Sequence, residues 1–185
     1  TGNIPACVRA VRWSAGTTTV LPTLGGGPSA RAAAINDQGW IAGCSVMADR
    51  STTHACLWTS NAAPIDLGTL GGTSSFARSI VGNTIVGVAD AADGVPHACR
   101  WTIGASGSID AKVDLGLLPG APGSSAEVIG ADGRVGGNSG DSAVLFGASG
   151  PVDLNAQIAP GSGWQLTHVT ALGDGGRILG RGRLN

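Results

Sequence analysis

The stretch HACLWTSNAAPIDLGTLGG, residues 54–72, decides the fold, because it returns as HACRWTIGASGSIDAKVDLGLLPG at residues 97–120. Each copy holds an apolar segment ending in tryptophan, then a segment ending in Asp-Leu-Gly that enters a glycine turn. Working outward, Ala10-Val11-Arg12-Trp13 precedes these copies and Ser142-Ala143-Val144-Leu145-Phe146 follows them. The aromatic positions therefore fall at 13, 58, 101 and 146, a period of about 45 residues. The turn segment has counterparts in LPTLGGG at 21–27 and in a divergent DLNAQIAPG at 153–161. A third landmark is a hairpin: AAAINDQGWIAG at 32–43, ARSIVGNTIVG at 77–87, AEVIGADGRVGG at 126–137 and VTALGDGGRILG at 169–180.

Four copies of a three-part signature predict four tandem units, at approximately 8–50, 51–93, 94–138 and 139–185, forming one repeat domain. Each unit reads as four short strands. Asn-Asp-Gln-Gly, Gly-Asn, Ala-Asp-Gly and Gly-Asp-Gly-Gly supply the positive φ that tight hairpins need. Four-stranded units of this length are the arithmetic of a β-propeller blade, and closure into a ring removes the end faces of an open stack. The expectation is an all-β chain, a small four-bladed β-propeller, closed when the N-terminal strand around Val8–Trp13 pairs with the last strand of the fourth unit. A fragment of a larger propeller and an open β-solenoid are the alternatives.

Composition sets limits on function. Glycine accounts for 32 residues, hydrophobic residues for 42% and charged residues for 12%, with a net charge of -1. No stretch gathers Lys and Arg, so nucleic acid is not an expected partner. Arg177, Arg181 and Arg183 come closest and read as a solvated face. No apolar run reaches the length of a transmembrane helix. The first residues do not read as a signal peptide. The four cysteines, Cys7, Cys44, Cys56 and Cys99, form no CxxC pair, and no metal or cofactor is expected.

Asp66-Leu67-Gly68-Thr69-Leu70-Gly71-Gly72, the hairpin from Ile35-Asn36 through Gly43, and His54-Ala55-Cys56-Leu57-Trp58 together resemble the HAF repeat of predicted extracellular bacterial proteins. The resemblance covers essentially the whole chain. It weakens in the fourth unit, where Asn155 and Ala156 replace Gly-Thr and Ser142 stands in place of His. Cys56 and Cys99 stand where the family has phenylalanine. The resemblance implies a secreted or cell-surface location, and it brings no reaction, cofactor or catalytic residue.

Individual residues sort by whether they repeat. Cys56 and Cys99 occupy equivalent positions and read as small buried residues, whereas Cys7 and Cys44 lie outside the repeat and are the candidates for a disulfide. His54 and His97 are equivalent and read as structural hydrogen-bonding residues. His168 stands alone. Gly137-Asn138-Ser139-Gly140-Asp141-Ser142 lacks the strand–Ser–helix context of a nucleophile elbow and reads as a turn. Asp90 and Asp93 offer too few oxygens for Ca²⁺. Trp13, Trp58 and Trp101 repeat and read as core. Trp40 and Trp164 do not repeat, and each is a candidate for stacking on a sugar or anchoring a protein ligand.

The leading expectation is a secreted, non-enzymatic binding module for a glycan or protein. A hydrolase or lyase with its site on the ring axis is the second reading, requiring His168 or Asp141 to converge there. A structural, self-assembling surface protein is the third, requiring an exposed sheet edge near Asn185.

Overall fold

The computed structural model describes residues 8–59 and 63–184. Strands follow one another as β1 (Val11–Ser14), β2 (Thr17–Val20), β3 (Ala30–Ile35), β4 (Ile41–Val46), β5 (Thr53–Trp58), β6 (Ile65–Asp66), β7 (Gly71–Val81) and β8 (Thr84–Ala91). They continue as β9 (Pro96–Ile103), β10 (Ile109–Gly116), β11 (Ser124–Ile129), β12 (Val135–Ser139), β13 (Ser142–Gly147), β14 (Gly150–Asp153), β15 (Trp164–Leu172) and β16 (Ile178–Leu184). The chain is all-β apart from short 3-10 turns, and neighbouring strands run antiparallel.

Three sheets have four strands each, β3 to β6, β7 to β10 and β11 to β14. Each joins the hairpin of one sequence unit to the tryptophan segment and Asp-Leu segment of the next, so the sheets straddle the unit boundaries. The registers coincide: Ile41 lies opposite Trp58, Ile85 opposite Trp101 and Val135 opposite Phe146. The remaining strands form two-stranded sheets, β1 with β2 and β15 with β16. Among the described residues no ladder joins β16 to the Val8–Trp13 segment.

The four hairpins share one irregularity. A register shift falls between Ala32 and Ala34, Ala77 and Ser79, Ala126 and Val128, and Val169 and Ala171. Such bulges sharpen twist. Opposite each bulge a glycine is obligatory, because a Cβ at Gly43, Gly87, Gly137 or Gly180 would run into the carbonyl oxygen of Arg31, Phe76, Ser125 or His168. The hairpin of β15 and β16 is thus built as the first half of a complete sheet.

Sheets stack by faces. Ala55 and Leu67 on the first complete sheet pack with Ile85, Cys99 and Trp101 on the second. Ala98 and Leu115 on the second pack with Val135, Val144 and Phe146 on the third. At one end Ala10 and Leu21, beside β1 and β2, cover Cys56 and Trp58. At the other, Ala143 and Leu154 on the third sheet meet Val169 of β15. A buried serine bridges each joint between complete sheets. The Ser75 hydroxyl accepts from the Ala55 amide at 2.8 Å and donates to the Gly68 carbonyl at 2.7 Å. Ser124 does the same with Ala98 at 2.8 Å and Gly116 at 2.7 Å.

The repeated aromatic side chains differ in cover. Trp58 and Trp101 are 1% and 0% exposed, whereas Trp13 is 70% exposed. Truncating Trp101 to Ala should therefore cost about 3–5 kcal/mol of stability by cavity formation. The same change at Trp13, in dilute chain, should stay within about 0.5 kcal/mol. Urea denaturation of both variants checks this, and equal losses would show that Trp13 is covered.

Candidate functional site

The motif residues of the repeat are explained by local hydrogen bonding. His54 Nδ1 lies 2.9 Å from Asp66 Oδ2, and His97 Nδ1 lies 2.7 Å from Asp114 Oδ2. The same aspartates accept the backbone amides of Gly68 and Gly116, both at 2.8 Å, so each closes its own turn. Gly68 and Gly116 take φ of 66° and 75°, which glycine adopts at little cost. In the fourth unit Ser142 Oγ takes over from His, at 3.1 Å from Asp153 Oδ2. Asn155, in place of the glycine, accepts from the Leu166 amide at 2.6 Å and donates to the Leu166 carbonyl at 2.9 Å. These histidines and acids tie strands together.

Other candidates are equally local. Asp90 Oδ2 accepts from the Ser74 amide at 3.0 Å, and Asp93 Oδ1 accepts from the Val95 amide at 3.0 Å. Among the described residues no cluster of His, Cys, Asp and Glu could hold a metal ion. Gly140 and Asp141 form the turn between β12 and β13. The Cys56 and Cys99 side chains are fully buried. Burial pushes the Cys99 thiol up to about 12 and the Cys56 thiol higher still. Cys44 is half-buried, its thiol is free, and burial raises its pKa too. Cys7, its candidate partner, lies outside the described residues.

The two unrepeated tryptophans are placed differently. Trp40 donates its backbone amide to Asn36 Oδ1 at 2.9 Å, and its partly buried side chain packs against the core joining the first two complete sheets. Trp164, at the start of β15, is 51% exposed. It lines a largely apolar cleft of about 610 Å³ with Ala143, Leu154, Ile158, Leu166, His168, Ile178 and Arg181. His168 Nδ1, facing no hydrogen-bond partner, is buried there. One wall is the segment between β14 and β15, with Gln157, Ile158 and Ser162, and the other is β16, whose residues are exposed along the strand.

A second cavity, of about 550 Å³, lies along the first strands of the sheets. It is lined by Arg78, Glu127, Asn138 and Asp141 among others. Arg78 Nε stands 3.9 Å from Glu127 Oε2, and Ser125 Oγ donates to Glu127 Oε1 at 2.6 Å. Arg78 and Glu127 are bulge residues, which turns them out of the ladder. His168 lines the cleft of β15 and β16, so the acids and the histidine of the enzymatic reading occupy separate places.

The cleft's apolar wall was not singled out in the sequence. Ile178 lies opposite Leu172 as Ile41, Ile85 and Val135 lie opposite Ile35, Ile80 and Ile129. Those three counterparts of Ile178 are buried, and Ile178 and its neighbour Leu179 are exposed. The sequence places Ile178 in line with Ile41, Ile85 and Val135 and carries no signal of its exposure.

Comparison with protein-family models, curated proteins and solved structures gives no match for this chain. No helix among the described residues is long and apolar enough to cross a membrane.

The thiols offer a check on the packing. In a Cys7→Ser variant at pH 8, Ellman's reagent should find one slow thiol, abolished by Cys44→Ser, and two more only after denaturation. Three fast thiols in the native chain would contradict the burial of Cys56 and Cys99.

Proposed function

We propose that this chain is a secreted or cell-surface, non-enzymatic binding module of the HAF-repeat kind, with blades of the β-propeller type, that takes an extended polypeptide at the cleft beside Trp164. One observation carries this reading. Ile178 and Leu179 are exposed beside an apolar cleft on β16, which among the described residues pairs only with β15, at positions that the three complete sheets bury. An edge with unpaired amides and carbonyls gains main-chain hydrogen bonds from an added strand, and a neighbouring groove takes alternate side chains. The location rests on the motif resemblance.

A glycan is the second reading. Trp164 offers an aromatic face, with Gln157, Ser162 and Arg181 lining the same cleft.

Trp164 emission distinguishes the two. At sub-micromolar chain, reduced and carboxymethylated α-lactalbumin, a source of extended strands, should give a saturable emission change. That change should be lost in Trp164→Ala and weakened in Leu179→Lys. Soluble bacterial and plant polysaccharides should give none. A polysaccharide response lost in Trp164→Ala would move the ligand class to sugars, and silence with every probe would remove the cleft as a binding site.

A further inference from the structure

We infer that a second binding site lies where the first strands of the three complete sheets meet. It takes a small zwitterion, a molecule with one carboxylate and one ammonium group, held by Arg31 and Arg78 at one end and by Glu127 and Asp141 at the other. The site is separate from the cleft of Trp164 and does not depend on the reading of that cleft. The first strands of successive sheets touch, β3 with β7 and β7 with β11. Arg78 and Glu127 line both the cavity of about 550 Å³ and a neighbouring one of about 260 Å³, so the two form one groove. Arg31 and Cys44 line its smaller part, and Asn138 and Asp141 its larger part.

The repeat itself shows that the fold does not need these charges. All four hairpins have the same bulge, and its extra residue is Ala33, Arg78, Glu127 or Thr170. Alanine and threonine build that bulge in the first and fourth units, so neither the arginine nor the glutamate is required for it. Two residues before the extra one stand Arg31, Phe76, Ser125 and His168, four different chemistries at one place. Residues that hold this fold together repeat, as His54 and His97 do. Side chains that differ at equivalent positions, yet gather in one cavity, point to a ligand.

The charges of the groove are incompletely used. Arg78 Nε stands 3.9 Å from Glu127 Oε2, at the outer limit of an ion pair, and Glu127 Oε1 accepts from the Ser125 hydroxyl at 2.6 Å. The side chains of Arg31 and Asp141 make no hydrogen bond or ion pair among the described residues. Arg31 and Arg78 both act electrostatically on the Cys44 thiol, which places two like charges around the smaller cavity. Two guanidinium groups so placed repel, and an anion between them relieves the repulsion. A carboxylate fits a guanidinium fork with two parallel hydrogen bonds. Glu127 and Asp141 call for a cation that donates, and an ammonium group has three donors. The sign of charge changes along the groove, so a simple anion or a simple cation meets a like charge where a zwitterion meets none. Val88, Pro96 and Pro122 offer an apolar wall to a side chain. An α-amino acid or a short peptide with free ends has this chemistry.

Isothermal titration calorimetry with L-leucine and with L-leucyl-L-leucine tests this and tells a single amino acid from a peptide. At least one of the two should bind saturably. N-acetylation or C-terminal amidation of the one that binds should weaken it by roughly tenfold or more, the loss of one charge-assisted contact. Arg78→Ala and Glu127→Thr should do the same. These variants install the residues that the first and fourth units carry at the bulge, so their urea denaturation should match that of the parent chain. Trp164→Ala should leave binding unchanged. In the Cys7→Ser chain, the saturating ligand should slow the reaction of Cys44 with Ellman's reagent. Heat from neither compound would overturn the proposal. Binding that survives acetylation and amidation, or that ignores Arg78→Ala, would overturn it as well. So would binding lost in Trp164→Ala, which would put the zwitterion in the other cleft.

Discussion

The fold depends on a sheet's having two faces. A four-stranded sheet of alanines, glycines and serines with one tryptophan cannot bury both faces against itself, so each sheet is stable only between neighbours. The consequence runs through the molecule. The face carrying Cys99 and Trp101 is closed by the preceding sheet, and the face carrying Ala98 and Leu115 by the following one. Small residues at the joints let the sheets approach, and Ser75 and Ser124 supply hydrogen bonds to backbone groups that this approach removes from water. Burial of a tryptophan contributes more than any of these polar contacts, as area bookkeeping of about 25 cal/mol per Å² implies. The polar contacts decide registration.

The same constraint accounts for what the ends of the stack look like. At the two ends of the described stack, residues of core type come to the surface: Trp13 at one and Leu179 at the other. Single exposed apolar residues are ordinary in proteins, but a row of them beside an unpaired strand edge marks an interaction surface.

Much of this was legible in the sequence. The spacing of Trp13, Trp58, Trp101 and Phe146, with Asp-Leu-Gly and the glycine hairpins between, predicts repeated antiparallel sheets, and these are present. His54 and His97 repeat, and both bond to the aspartate of the same motif. Cys56 and Cys99 repeat and are buried. The candidate site was less legible, because exposure depends on what lies across a joint and not on the residue itself. Trp40 and Trp164 look alike in sequence, each unrepeated and each beside a glycine turn. Only the stack shows that one packs on the joint of two sheets while the other stands half-exposed over a cleft. Ile178 is indistinguishable from Ile41 or Ile85 in the sequence, and only the fold shows it exposed. Arg78 and Glu127 come together through a bulge whose extra residue is visible in the alignment of the hairpins but whose direction is not.

The central claim is that β16 presents an edge, beside the cleft of Trp164, which an extended polypeptide fills. Hydrogen exchange resolved to single amides tests it most directly, because outward amides of an edge strand exchange freely until they are paired. In the chain alone the amides of β4, β8 and β12 should be protected, and alternate amides of β16 should not. Saturating carboxymethylated α-lactalbumin should bring those amides of β16 into protection. Protection of β16 that is already complete in the chain alone would contradict the account, and so would exposure that persists at every concentration of the polypeptide.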